Sequence, residues 1–401
     1  MVIGLNDQPL VTIVTPSLNQ GPFIREAIES VLQQTYSNIE YIIMDAGSND
    51  ETHGVVAEFE GRLRYISEPD RGQSHAINKG WRMAQGEILG WLCADDILLP
   101  NAVQEIVDAF AIHPGAVGVF GGCEAVDLQG ASLGISGSCR PDTWKLIHGY
   151  DYVPQPSAFA SRTAVEAVGF VDEALYWGMD WDLFIRLSKF GQMVSIAPVL
   201  SQARIYPETK TQSGGIRRWR ELVRIMRDHG EMRYPPGYFL YGAETVRDIA
   251  RPFLERRRGP AAKVRPWLLA RLEAASEKVR VAYLARACRG WFDDGWAGPK
   301  VSFDVPRGAV SMSVRGRVPQ EHPELASQEF MLSFQGEVLA KVQVAPGPFS
   351  FDVEVSESSP TGGDVMTITA RRSFVPQQSG LNGDARQLAY YLDELKANVP
   401  A

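Results

Sequence analysis

The sequence predicts an α/β fold with a mostly parallel sheet flanked by helices, followed by a helical linker region and an antiparallel β-sandwich. Over residues 10–210, apolar strand-like runs alternate with amphipathic helix-like runs, and this rhythm implies parallel strands joined through helices. From about Val301 the apolar period changes to two, with Gly and Pro between short runs, which is typical of a sandwich.

The first part of the chain contains strand and helix patterns in alternation. After the first strand there is no Gly-x-Gly-x-x-Gly sequence, so the dinucleotide-binding fingerprint is absent. The predicted strands are Leu10–Thr15, Ile39–Met44, Leu63–Ser67, Ile88–Cys93 and Ala116–Phe120, and the predicted helices are Pro22–Gln34, Asp50–Phe59, Ser74–Ala84 and Asn101–His113.

Residues 216–290 have helical periodicity and are rich in arginine. Prolines at 235, 236, 252, 260 and 266 are predicted to divide this region into short helices. Between Gly215 and Gly290 there are 18 Lys and Arg against 8 Asp and Glu, a balance of +10 in a chain of net charge −8. Such basic amphipathic stretches either contact anionic lipid or pair with the acidic remainder of the protein. No nucleic-acid-binding motif accompanies the charge, so we expect no nucleic-acid partner.

The last hundred residues alternate in the manner of strands. The predicted strands are Ala309–Val318, Glu329–Phe334, Val338–Val344, Phe349–Val355 and Val365–Ala370, and Asp384–Leu395 is a closing strand or helix. The predicted domains are therefore residues 1–215, 216–295 and 296–401. The third domain has three open roles: carbohydrate binding, contact in a homo-oligomer, or a structural cap.

Composition bounds the class of protein. The 401 residues provide for two or three domains, and no apolar stretch approaches the ~20 residues that span a bilayer. Met1–Pro9 lacks the charged-then-apolar pattern of a signal peptide. The four cysteines have no metal-ligand spacing, and Cys93 lies in an apolar run typical of a core. We therefore expect reduced thiols and a cytoplasmic protein.

Two adjacent carboxylates, Asp95 and Asp96, end the apolar run that begins at Ile88. Charges at the end of a buried strand are costly unless they meet water, a cation or a ligand. Carboxylates suit Mg²⁺ or Mn²⁺, which bridge proteins to phosphates. The pattern therefore predicts a metal–diphosphate site. The alternative is an Asp-Asp turn that caps a helix starting near Pro100.

Several ordered blocks carry a resemblance to a known family. The blocks are Val14–Gln20, Ser30–Tyr36, Ile43–Asp50, Ser67–Ser74, Ala76–Gly80, Ala94–Asp96, Gln155–Ser157 and Met179–Leu187. A single block is weak, whereas this ordered series is specific. Over roughly residues 9–215 the chain resembles bacterial family 2 glycosyltransferases of the GT-A fold.

The resemblance implies an inverting transfer that depends on Mn²⁺ or Mg²⁺. It implies Asp96 as the direct metal ligand, with Asp95 holding the donor or assisting the metal through water. It implies Asp180 as the base that takes the acceptor's proton. Asp182 is the alternative base, a helix cap, or the partner of Arg186 at i+4. A further alternative is that both acids only cap the helix that begins here.

The resemblance also implies contacts to the nucleotide and the acceptor. Ala46 stands where many members carry a second acid, which leaves uracil, guanine and thymine open as the donor base. Arg71 and Lys79 either meet the diphosphate or form surface ion pairs with Asp70 or Glu68. Lys210 is expected to compensate on the phosphates for Tyr206, which replaces a histidine of the relatives. The expected nucleotide contacts are Thr15, Pro16, Ser17, Asn19 and Asp45, and the expected acceptor-side residues are Gln155 and Trp181.

The predicted function is transfer of a sugar from a nucleoside-diphosphate sugar to a glycan hydroxyl in bacterial surface-polysaccharide assembly. The resemblance implies a glycan or lipid-linked glycan acceptor. If the basic helices contact anionic lipid and do not merely pack against the protein, the cytoplasmic protein is peripheral at the inner face of the cell membrane. One alternative is a carbohydrate-binding pseudoenzyme. Another is a sugar nucleotidyltransferase, whose glycine-rich, lysine-containing first loop is replaced here by Ser17–Gly21.

Overall fold

The structure is a computed structural model. It describes residues 8–137, 139–210, 213–255, 265–289, 291–292, 296–305, 309–325, 327–335, 337–355, 365–373, 375–376 and 386–398. Two compact units divide the chain, Met1–Arg233 and Tyr234–Ala401, and each is described by itself. The division into three domains at residues 215 and 295 stays a prediction.

The first unit is built on one curled sheet with the strand order β3-β2-β1-β4-β8-β6-β9-β5, and β7 pairs with β6. Strands β3, β2, β1 and β4 are parallel, whereas β8 runs antiparallel between β4 and β6. The predicted α/β fold is confirmed, with a sheet that is mixed in its second half. The strands are β1 Val11–Ser17, β2 Ile39–Asp45, β3 Arg64–Ser67, β4 Ile88–Trp91, β5 Ile97–Leu98, β6 Ala116–Val126, β7 Ser132–Ser136, β8 Ala158–Ser161 and β9 Gln192–Arg204.

Eight helices accompany the described part of this sheet. The apolar residues Ile24, Ile28 and Val31 of the first helix pack into the core with the fully buried strand β1. Because β1 lies between the parallel strands β2 and β4, the carboxyl ends of all three meet at one edge. The helices are α1 Gly21–Leu32, α2 Thr52–Ala57, α3 Gln73–Met83, α4 Ala102–Ile112, α5 Thr143–His148, α6 Arg162–Val168, α7 Met179–Phe190 and α8 Gly215–His229.

The second unit begins with two long helices, α9 Pro236–Leu254 and α10 Arg265–Ala287. The expectation of several short helices is wrong, because most of the prolines lie where a helix accepts them. Pro236 and Pro266 are in the first turns, where a missing N–H breaks no bond. Pro252 lies inside α9, two residues before its end. Residue 260 lies outside the described residues.

Two four-stranded antiparallel sheets follow, in the orders β10-β17-β12-β15 and β11-β16-β13-β14. Phe330 of one sheet lies 5.0 Å from Phe349 and 4.7 Å from Tyr390 of the other, measured between ring centroids, so the sheets face each other as a sandwich. The closing segment is a strand. The strands are β10 Trp296–Ala297, β11 Lys300–Asp304, β12 Ser311–Val318, β13 Gln328–Phe334, β14 Glu337–Val344, β15 Gly347–Glu354, β16 Val365–Ala370 and β17 Tyr390–Asn398.

Within the described ranges, no helix is both long enough and apolar enough to cross a membrane. The four cysteines are free, as expected for reduced thiols.

Candidate active site

A compact acidic group follows β4. The carboxylates of Asp95 and Asp96 and the thiol of Cys93 offer ligand atoms that all lie within 4.8 Å of one another. Burial raises the pKa of Asp96 well above its usual range, and the charge of Asp95 raises that pKa further. A cation would relieve this repulsion, so the group is a candidate metal centre.

The donor atoms fit a hard divalent cation. Burial raises the pKa of the Cys93 thiol, and a protonated sulfur is a poor metal ligand. The carboxylates supply the oxygen ligands that Mg²⁺ and Mn²⁺ prefer. The prediction that Cys93 is a core residue is wrong, since it is only partly buried and lies in this acidic group.

Asp95 is held by residues at and just after the end of β9. Tyr206 Oη donates a hydrogen bond to Asp95 Oδ2 at 2.8 Å, and Arg204 Nη1 donates to the Asp95 carbonyl at 2.8 Å. Burial and the charge of Asp95 raise the pKa of Tyr206, so the phenol keeps its proton. Tyr206 therefore orients the acidic group as a hydrogen-bond donor, a role that the sequence did not predict.

Asp95 and Asp96 do not cap the following helix. That helix, α4, begins at Ala102, its N-cap residue Asn101 makes no side-chain cap bond, and β5 separates it from the acidic pair. The capping alternative is therefore wrong.

The ends of β1 and β2 lie side by side, with Ser17 paired to Asp45. Although burial opposes it, hydrogen bonds from Gly47, Ser48 and Ser67 hold the pKa of Asp45 below its usual range. A carboxylate whose two oxygens already accept these hydrogen bonds is typical of an Asp that forms a turn. Contact of Asp45 with the nucleotide stays a prediction.

Near the carboxyl ends of β1 and β2, the other expected nucleotide residues differ in whether a polar side-chain atom is free to bind a ligand. Thr15 Oγ1 lies 3.0 Å from Tyr41 Oη within the buried sheet, and Pro16 has no side-chain polar atom. Asn19 Oδ1 accepts a hydrogen bond from the Asn49 backbone at 2.9 Å. The hydroxyl of Ser17 is buried without a hydrogen-bond partner among the described residues, so Ser17 still has a polar atom to satisfy.

Arg71 and Lys79 both form ion pairs. Lys79 Nζ lies 2.6 Å from Glu68 Oε1, one of the partners expected for a surface pair. Arg71 pairs with Glu173 instead of Asp70 or Glu68, and its side chain is 70% exposed. Their contact with a diphosphate stays a prediction.

Lys210 lies close to the acidic group. Its Nζ donates to Gln73 Oε1 at 2.7 Å, and Gln73 Nε2 donates in turn to Cys93 Sγ at 3.2 Å. The same ammonium lies 4.2 Å from the centre of the Tyr176 ring. Burial lowers the pKa of Lys210, while the nearby charge of Asp180 opposes the shift. Lys210 is thus a partly buried cation near both the acidic group and Asp180.

The two expected acceptor-side residues have different surroundings. Gln155 Nε2 donates to the Trp91 carbonyl at 2.7 Å, and its Oε1 lies 3.5 Å from Cys93 Sγ, so Gln155 borders the acidic group. Trp181 is 1% exposed, and its indole donates to the Leu146 carbonyl at 2.7 Å. The acceptor-side prediction for Trp181 is corrected, because its side chain packs in the core.

Asp180 lies in the first turn of α7, as expected. Burial raises the pKa of its carboxyl, against the opposing effects of the Trp181 backbone N–H and of the cations Lys210 and Arg218. A carboxylate with a raised pKa is a stronger general base.

A second partly buried carboxyl, Asp151, lies near Asp180 and was missed by the sequence analysis. Burial and the charge of Asp180 raise the pKa of Asp151 well above its usual range. In such a pair the charge of one carboxylate disfavours ionisation of the other. The only indication in the sequence is an acid between Tyr150 and Tyr152.

Asp182 has two partners that Asp180 lacks. Arg186 Nε donates to Asp182 Oδ2 at 2.8 Å, which is the i+4 pair expected from the sequence. His229 Nε2 lies 2.7 Å from Asp182 Oδ1. Although burial opposes it, these partners hold the pKa of Asp182 below its usual range. A weakly basic, doubly paired carboxylate fits a structural role better than that of a base.

Part of this chain is similar in sequence to known glycosyltransferases. Residues 12–134 match the family model described as Glycosyl transferase family 2. An uncharacterized glycosyltransferase of Rickettsia felis is 30% identical over 215 residues, which are 50% of this chain and 35% of the relative.

A chondroitin synthase of Escherichia coli is 28% identical over 186 residues, covering 46% of this chain and 27% of the synthase. The match thus spans about a third of the length of each relative. Among solved structures, TarS residues 1–349 of S. aureus in complex with UDP-GlcNAc has a TM-score of 0.47 at 13% identity, over 69% of this chain and 91% of that one.

Proposed function

We propose that this protein is an inverting glycosyltransferase that moves a sugar from a nucleoside-diphosphate sugar to a hydroxyl group of a glycan. The observation that carries the proposal is the acidic group at the end of β4, within a family 2 glycosyltransferase domain. Asp180, a second carboxylate of raised pKa, supports it by supplying the base that such a displacement needs.

The proposed reaction is a single displacement. The Asp180 carboxylate takes the proton of the acceptor hydroxyl, and that oxygen forms a bond to the anomeric carbon. The bond between the anomeric carbon and the diphosphate oxygen breaks, and the nucleoside diphosphate leaves with the electron pair. Lys210 places a positive charge near the departing phosphates, and Ser17 and Arg71 contribute donors on the nucleotide side.

Asp96 would hold a divalent cation, Mn²⁺ or Mg²⁺, with Asp95 assisting directly or through water. When bound, such a cation neutralises charge that develops on the departing diphosphate. The cation would have no other part in the proposed displacement.

We infer that the acceptor is a glycan or lipid-linked glycan of a bacterial surface polysaccharide. The name of the chondroitin synthase relative supports this choice. A lipid-linked acceptor would place the reaction at the inner face of the membrane, and α9 and α10 provide exposed apolar and basic side chains for a reversible contact. The sandwich remains a candidate for contact in a homo-oligomer.

A thermal-shift panel tests the proposal. UDP, GDP and dTDP are each added with and without Mn²⁺, because a ligand that binds the native state raises its apparent stability. We expect at least one nucleotide to raise the melting temperature in a Mn²⁺-dependent way, and its sugar nucleotide to be consumed with a glycan acceptor. Absence of any nucleotide effect would contradict the proposal. Glycan binding without turnover would favour a pseudoenzyme.

A further inference from the structure

Helix α8 reaches the start of α7 with a carboxylate. Glu221 Oε1 accepts hydrogen bonds from the backbone N–H groups of Trp177 at 2.6 Å and Gly178 at 2.9 Å, and Oε2 accepts one from Tyr176 at 3.0 Å. We call residues 176–178 the α7 entry turn. A carboxylate from another helix thus satisfies three successive backbone donors just before Asp180.

The position of this carboxylate is favourable for a physical reason. The N-terminus of a helix has unsatisfied N–H groups and a partial positive charge, both of which a carboxylate stabilises. Gly178, the N-cap residue of α7, makes no side-chain cap bond of its own. Glu221 therefore takes the place of a local cap.

Tight packing joins the same two elements. A Cβ atom on Gly178 would lie 2.6 Å from Ile225 Cδ1 and 2.9 Å from Leu222 Cδ2 of α8. At Gly214, just before α8, the backbone has φ +94°, and a Cβ there would lie 2.5 Å from the Trp177 ring. The α7 entry turn is thus held on both sides by α8 and the residue before it.

We infer that Glu221 is a positioning residue for the transfer reaction: by holding the α7 entry turn, it fixes the place of Asp180 relative to the acceptor hydroxyl. This inference rests on the proposed function. It gives α8 a part in catalysis, although α8 was predicted only as a basic helix for packing or lipid contact. Misplacement of a reacting group by about 1 Å can cost on the order of 10²-fold in rate.

The test compares Glu221→Ala with Asp228→Ala, a matched control that removes an exposed carboxylate from the same helix. Hydrogen exchange of the amides of residues 176–178 needs no substrate. It should rise about tenfold or more in Glu221→Ala, because bonds to a charged acceptor are lost, and stay unchanged in the control. Unchanged exchange in Glu221→Ala would overturn the inference.

The kinetic arm separates positioning from general destabilisation. Glu221→Ala should lower kcat by on the order of 10- to 100-fold at an unchanged KM for the donor. Glu221→Gln keeps an acceptor oxygen and should recover part of the loss. In an Asp180→Asn background, Glu221→Ala should cause no further loss, because the two residues act as a unit.

Additive losses in that double variant, or a kcat of Glu221→Ala equal to that of the control, would overturn the inference while leaving the proposed function intact. A wild-type protein that turns over no donor would refute the proposed function, and with it the catalytic part of the inference, even if exchange at residues 176–178 rises.

Discussion

At the scale of the residue, three carboxylates of the first unit have different surroundings, and these surroundings shift their pKa values differently. Asp96 is buried beside a like charge, and Asp182 is paired with Arg186 and His229. Asp180 is partly buried, and the cations Lys210 and Arg218 only partly offset the resulting rise in its pKa. These differences support the proposal that three side chains of one type serve metal binding, structure and proton transfer.

Removal of Asp96 should separate metal binding from folding. Asp96→Ala relieves the repulsion with Asp95, so we expect a folded protein whose nucleotide binding no longer depends on Mn²⁺. Calorimetric titration of UDP, GDP and dTDP, with and without Mn²⁺, is the measurement. Asp108→Ala, on the exposed face of α4, is the control. Wild-type metal dependence in Asp96→Ala would contradict the ligand assignment.

The pH dependence of the rate should report the raised pKa of Asp180. The base works only when it is ionised, so kcat/KM should fall as the pH drops through that pKa. Because the pKa is raised, this fall should begin at a higher pH than the value of about 4 that is ordinary for Asp. The charged or titratable neighbours are Asp151, Lys210 and Arg218.

Asp151→Asn provides the matched control for the pH profile. Asn has the size of Asp151 and cannot ionise, so an acidic limb that belongs to Asp180 should remain in this variant. An acidic limb near pH 4 in the wild type would contradict the assignment of Asp180 as a buried base.

At the scale of the element, the apolar pattern predicted the strands well, whereas the proline positions did not predict where the helices end. Strands such as β1 and β2 were found from apolar runs because burial of both faces leaves few polar residues in them. The long helices α9 and α10 were missed because Pro236 and Pro266 begin helices instead of breaking them. Helix α8 buries Leu222 and its apolar neighbours, so packing explains that part of the basic region.

Since packing explains α8, we propose α9 and α10 as the helices of the basic region that contact a membrane. They run antiparallel, since Arg251 bonds to Glu273 while Phe239 stacks on Tyr283. Phe253 and Trp267 therefore lie at the same end, and both are exposed. Exposed aromatics among arginines suit the surface of an anionic bilayer.

Flotation with vesicles that contain phosphatidylglycerol tests this contact. We expect binding at low salt that high salt reverses, and a loss of about tenfold or more in a Phe253→Ser, Trp267→Ser double variant. Ile112→Ser removes an exposed apolar side chain from α4 and should change nothing. No flotation of the wild type at low salt would contradict the proposal.

At the scale of the whole molecule, the sequence predicted the order of the elements but only part of the site. Asp95 and Asp96 could be found because they are neighbours in the chain at the end of a strand. The approach of Asp151 to Asp180, of Glu221 to Gly178 and of Tyr206 to Asp95 depends on how distant elements pack, and no local pattern encodes it. For the same reason Trp181, adjacent to Asp180, was assigned to the acceptor although it faces the core.

The central claim is that Asp180 is the base of an inverting sugar transfer. The direct measurement is the transfer rate and the donor affinity of Asp180→Asn, with Asp182→Asn as the control. Asn preserves the size of the side chain, and the base acts on the acceptor. We therefore expect the rate to fall by on the order of 10²–10⁴ or more, with donor affinity nearly unchanged and a milder loss in Asp182→Asn. A wild-type rate in Asp180→Asn beside an inactive Asp182→Asn would reverse the two roles and contradict the claim.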